Sequence, residues 1–106
     1  MGRRRRETQA LLSQKLLAIR QFVGQAQVEM ASSLKSEIPP RNGRSYSIQG
    51  GSISKYENGR HQPNLIVLLA YAHLGKVHLE LLVDNRFTLK TFQEQLGKHK
   101  LKKAQE

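Results

Sequence analysis

The residues of this chain best equipped for chemistry are cations. Lys35, Arg41, Arg44, Lys55 and Arg60 fall within one stretch, answered there only by Glu37 and Glu57. Positive side chains with few acids among them suit a polyanion, because each phosphate neutralised releases condensed counterions and adds affinity independent of base sequence. Catalysis finds no matching arrangement. The chain has no cysteine, which excludes thiol nucleophiles, thiolate metal ligands and disulfides, and accords with a reducing compartment. His61, His73, His78 and His99 lack the spacing of a metal-ligand pattern. Gly50-Gly51 stands without the further glycines of a nucleotide-binding loop, the serines lie outside nucleophile motifs, and the acids are scattered. The expectation is a protein that is not an enzyme, with no cofactor and no catalytic or metal-binding residue.

The placement of the charge sharpens this. Of a formal +10, residues 1–6 carry +4 and residues 86–106 another +4, which leaves +2 for residues 7–85. The two basic ends serve either as solvated charge or as phosphate contacts; neither has the strong apolar face that a membrane surface would require. Arg3–Arg6 is a disordered leader or an arm for a narrow minor groove, where A·T tracts attract arginine. It is not the front of a signal peptide, since Ser13, Gln14 and Lys15 interrupt the apolar stretch that should follow. The longest apolar run, 65–70, is far short of the roughly 20 residues a bilayer demands. A cytoplasmic location is expected. With 106 residues, 38% apolar and 25% charged, the chain has material for one globular core.

Helices must position these groups. Leu11, Leu12, Leu16, Ile19, Phe22 and Val23 recur at three- and four-residue spacing, which predicts a helix over 9–23 ended by Gly24. A second helix is expected over 26–34 with Val28, Met30, Ala31 and Leu34 as its inner positions, and Pro39, Pro40, Asn42 and Gly43 mark 35–47 as an irregular loop. A third spans 48–58, with Gly59 as a left-handed cap. Asn64 caps a fourth over 65–74, stopped by Gly75. A fifth covers 78–83, and Phe87, Leu89, Phe92 and Leu96 suggest one more. No strand signal competes. The expected core is Leu16, Ile19, Met30, Ile53, Leu65, Leu68, Leu69, Ala72, Val77 and Leu82, and the last ten residues are expected to be mobile.

The segment Ser52-Ile-Ser-Lys-Tyr-Glu-Asn-Gly-Arg-His-Gln-Pro-Asn-Leu, continuing through Leu74-Gly-Lys-Val-His-Leu-Glu-Leu-Leu, resembles the helix-turn-helix family of phage Cro and cI repressors and their bacterial relatives. Arg20, Gly24, Gln27, Glu29 and Ala31 stand in that family's order upstream, so the resemblance runs from about Lys15 to Val83. It implies an all-α, five-helix, lambda-repressor-like domain over 8–85, flanked by a basic arm (1–7) and a basic C-terminal extension (86–106). The third helix, about 49–58, would enter the major groove and the second would lie across the backbone. Gln27 would then donate to a phosphate or remain an exposed amide, and Arg20 would pair with Glu57.

Two departures stand beside the matches. Thirteen residues, 35–47, replace a turn of three or four; closure entropy grows only logarithmically with length, so the fold tolerates them. Lys35, Arg41, Arg44 and Tyr46 either reach phosphates from this insertion or stay solvated. The family's base-reading position is Gly50-Gly51 here, and glycine reads no base. Discrimination is left to Gln49, Ser52, Ser54 and Lys55, with Arg60 and His61 close to the backbone. The resemblance therefore implies a transcriptional regulator that binds double-stranded DNA as a homodimer, with 86–96 either forming the self-contact or folding back on the core. The alternative is an antitoxin or adaptor that holds a protein partner such as a toxin. RNA is less favoured, because Tyr46 is the sole aromatic near the basic strip.

Overall fold

The computed structural model describes residues 2–40 and 47–98, with only the backbone for 2–9. The described residues form six helices and no strand: α1 (Gly2–Val23), α2 (Gln27–Glu37), α3 (Gly50–Glu57), α4 (Leu65–Gly75), α5 (Leu79–Val83) and α6 (Leu89–Gln95). None is long and apolar enough to cross a membrane.

Helix α1 is the hub. It packs on α3, α4, α5 and α6, while α2 packs on α3 and α4. Leu12, Leu16 and Ile19 supply its inner stripe at the spacing that keeps side chains on one helical face. Gly24 then takes φ +80°, a conformation that costs glycine least, and its N–H returns to the Arg20 carbonyl at 2.9 Å. The helix begins at Gly2 instead of residue 9, so it includes Arg3–Arg6.

Helix α2 runs three residues past the expected end, and the described residues on either side of the connection, 38–40 and 47–49, belong to no helix or strand. Ile38 and Ile48, at 7% and 1% exposure, sink both ends of that connection into the core. The expected loop is thus held at its shoulders, and its centre, with Arg41, Arg44 and Tyr46, lies outside the described residues.

Eight of the ten expected core positions are buried. The exceptions are Leu65 and Leu69, 60% and 40% exposed, for which Val67, Ala70 and Tyr71 substitute. In Leu-Ile-Val-Leu-Leu-Ala-Tyr-Ala nearly every side chain is apolar, so no polar face marks which stripe turns inward. Asn64 does cap α4, its side-chain oxygen accepting from Val67 N–H at 3.1 Å. The helix ends at Gly75 as expected, and the left-handed conformation that follows is taken by Lys76, at φ 52°. What Gly75 provides is room, since a Cβ there would meet Ile19 Cγ1 at 3.0 Å and Leu96 Cδ2 at 3.3 Å.

The segment after Asp84 joins the same core. Thr88 caps α6 by accepting from Thr91 N–H, and Phe92 is fully buried among residues of the central cluster. Of the two alternatives for residues 86–96, Phe92 takes the second: it folds back on the core, and its ring is not exposed for contact with a second copy. Beside it lies Lys15, also fully buried. Its Nζ donates to the carbonyls of Leu81 and Asp84 at 2.6 and 3.2 Å and sits 5.6 Å from the Phe92 ring centre. Such an ammonium buries its stem while its head satisfies carbonyls near the end of α5.

Candidate nucleic-acid interface

Helix α3 is short and glycine-led, so propensity alone would not hold it. Ile53, fully buried, is its one core anchor, and the T-shaped contact of Tyr56 with Tyr71 at 6.4 Å adds a second attachment. Its C-terminus is fixed by charge. Glu57 Oε2 accepts from Arg20 Nε at 2.6 Å, and Glu57 Oε1 accepts from Arg20 Nη2 at 3.1 Å and from Gln27 Nε2 at 3.0 Å. Arg20 Nη1 also donates to the Gln25 carbonyl at 3.0 Å. One carboxylate, 7% exposed, therefore joins the end of α1, the start of α2 and the end of α3. The hydrogen bonds to Glu57 hold the Arg20 guanidinium above its ordinary pKa.

This arrangement has an electrostatic consequence. Glu57 is the sole acid of α3, and its charge is turned inward and matched by Arg20. The outward stripe, Gly51, Lys55 and Asn58 at positions i, i+4 and i+7, carries a cation and no anion. Arg60 and His61 continue it as exposed residues, both with backbone N–H groups donating to the Lys55 carbonyl. Donors and positive charge on an exposed helical face can bind an anionic, grooved partner.

The expected DNA-contacting residues divide as follows. Gln49, Gly51, Lys55 and Arg60 are exposed. Ser52 and Ser54 are half-buried with engaged hydroxyls: Ser52 Oγ accepts from Gln49 N–H, and Ser54 Oγ from Asn58 Nδ2, both at 3.4 Å. Gln27 is half-buried with its amide donating to Glu57, so any phosphate contact falls to its remaining amide hydrogen. Gly50 is half-buried against α2: a Cβ built on it would lie 3.0 Å from Val28 Cγ2 and 3.5 Å from Val28 Cα. Its smallness serves helix approach. Arg41 and Arg44 lie outside the described residues.

Two surface residues were missed by the sequence reading. Asn58 read as part of a cap, although its offset of seven from Gly51 places it on the same stripe. Val28 read as an inner position of α2, yet it is 70% exposed; a β-branched residue in a short helix carries no sign of its face. Among the described residues, no three His, Asp or Glu side chains are grouped to hold a metal ion. His73 instead meets Glu37 at 3.3 Å, linking α4 to α2. Comparison of the chain with protein-family models, curated proteins and solved structures finds no match.

Proposed function

We propose that this chain is a DNA-binding transcriptional regulator that inserts α3 into the major groove of a duplex, with α2 across the backbone in a helix-turn-helix arrangement. The observation that carries the reading is the Arg20–Glu57–Gln27 junction. It uses the inner edge of α3 to tie three helices together and leaves Gln49, Gly51, Lys55 and Asn58 outward with an uncompensated cation. A groove-reading helix needs this rigidity, since its side chains must meet base edges at fixed distances. Lys55 and Arg60 fit base-edge or phosphate contacts, and the excess of basic residues supplies sequence-independent attraction.

Homodimerisation belongs to the reading, because a single short helix makes a small interface and two half-sites about 34 Å apart multiply affinity. With Phe92 buried, Phe87 and Leu89 remain as half-buried candidates within 86–96 for the self-contact. A second reading, an antitoxin or protein-interaction adaptor, is favoured by Leu65, Ile66 and Leu69, which stand 40–60% exposed along α4.

Selection of bound fragments from random duplex DNA, followed by salt titration, tests the proposal. The expected result is an enriched sequence whose binding weakens steeply with salt, with Lys55→Ala reducing both affinity and sequence preference. Failure to enrich any sequence, together with a tightly held co-purifying protein, would overturn it in favour of the adaptor.

A further inference from the structure

We infer that Val28, on α2, reads a thymine through its 5-methyl group across the gap left by Gly50-Gly51 at the head of α3. The inference rests on the DNA-binding reading above and assigns part of its base preference to a helix not expected to read bases. Two observations meet at this point. The leading turn of α3 has no side chain at two consecutive positions, and among the described residues nothing lies within 4 Å of a Cβ on Gly51. Val28 fills the adjacent place: its Cγ2 lies 3.0 Å from where a Gly50 Cβ would stand, and at 70% it is the most exposed large hydrophobic residue described.

Single exposed apolar residues are common and by themselves mean nothing. Here the position decides. Gln27, Gln49 and Ser52 flank the site in sequence, while the three atoms nearest to a Cβ on Gly50 all belong to Val28. The major groove offers one apolar feature on its base edges, the thymine methyl, and side-chain methyl groups are its natural contact. Removing both from water favours thymine over any base lacking that group, without a hydrogen bond.

The test replaces each thymine of the selected duplex, one at a time, with uracil, which pairs identically and lacks the methyl. Affinities are measured by fluorescence anisotropy for the wild-type chain, Val28→Ala and Val28→Ser, with circular dichroism to verify that the variants fold. At one thymine per half-site, uracil is expected to weaken wild-type binding about threefold to fivefold, the effect of one buried methyl-sized group. Val28→Ala and Val28→Ser are expected to bind thymine and uracil duplexes alike. Indifference of the wild type to uracil at every position, full discrimination retained by both variants, or a selected site without thymine overturns the role of Val28 while DNA binding stands. A chain that enriches no duplex overturns both readings.

Discussion

Glu57 Oε1 accepts hydrogen bonds from Arg20 Nη2 and Gln27 Nε2 at 3.1 and 3.0 Å, so one oxygen serves residues on two different helices. Loss of Arg20 strands this carboxylate, which is only 7% exposed. Arg20→Ala is therefore expected to cost about 3–5 kcal/mol, the range for a mostly buried pair left with one charge. Gln27→Ala removes a single donor and should cost about 1 kcal/mol. Urea unfolding measures both; equal midpoints for Arg20→Ala and the wild type would show that the junction does not stabilise α3.

Tyr71 presents the opposite situation, a fully buried hydroxyl without a hydrogen-bond partner among the described residues. Tyr71→Phe should stabilise the fold by about 1 kcal/mol at neutral pH, since an unsatisfied buried hydroxyl is a net cost. Burial pushes the phenol well above its ordinary value of 10.0. The folded chain consequently keeps a proton that the unfolded chain begins to release near pH 10. This contribution to stability is complete below that pH and is lost as pH climbs toward the folded value. The advantage of Tyr71→Phe over the wild type should widen by about 1.4 kcal/mol per pH unit above about pH 10. A difference flat with pH would mean that the hydroxyl reaches water.

The paired glycines of α3 should respond differently to the same change. Gly51→Ala adds a methyl group in open space and removes backbone freedom from the unfolded chain, a gain of about 0.5–1 kcal/mol. Gly50→Ala forces its methyl against Val28 and should forfeit that gain. Melting temperatures of the two variants decide the matter; Gly50→Ala as stable as Gly51→Ala would place α2 further from α3 than the structure does.

For Lys15 the question is whether stem or charge matters more. Burial depresses its ammonium below the ordinary 10.5, with Asp84 opposing the shift. The surroundings therefore disfavour the charge even while two carbonyls accept from it. Lys15→Ala, which empties a fully buried site, should cost about 2–5 kcal/mol. Lys15→Met refills the volume and should recover more than half of that loss. If methionine does no better than alanine, the bonds to Leu81 and Asp84 outweigh packing.

The legibility of this fold in its sequence depended on contrast. Where apolar and polar residues alternate, as over 11–19 of α1, the inward stripe was plain, although the helix starts seven residues earlier than expected and Phe22 of that stripe is 48% exposed. Backbone punctuation was equally clear at Gly24 and Gly59, which take φ +80° and +76°. In α4 contrast disappears, and Leu65 and Leu69 were placed on the wrong side. The sequence marks Lys15 only as a polar break in the apolar stretch, because it does not reveal the two carbonyls that accept from its ammonium. Gly75 was read as the stop of α4, and α4 does end there, but its smallness also answers Ile19 on another helix, a reason no local pattern contains. At the candidate site, the single cation of α3, Lys55, was readable in the sequence; the crowding of Gly50 by Val28 required three dimensions.

Phe92 and Gly97 set where the chain can be cut. Gly97 donates its N–H to the Gly75 carbonyl at 2.8 Å, and a Cβ on it would strike the Phe22 ring at 2.8 Å. Ending the protein before Thr88 would pull an aromatic plug from beneath α1 and leave the Lys15 ammonium facing a void. The smallest self-sufficient fragment thus extends at least to Gly97, and shorter expression boundaries would yield a chain that collapses without closing.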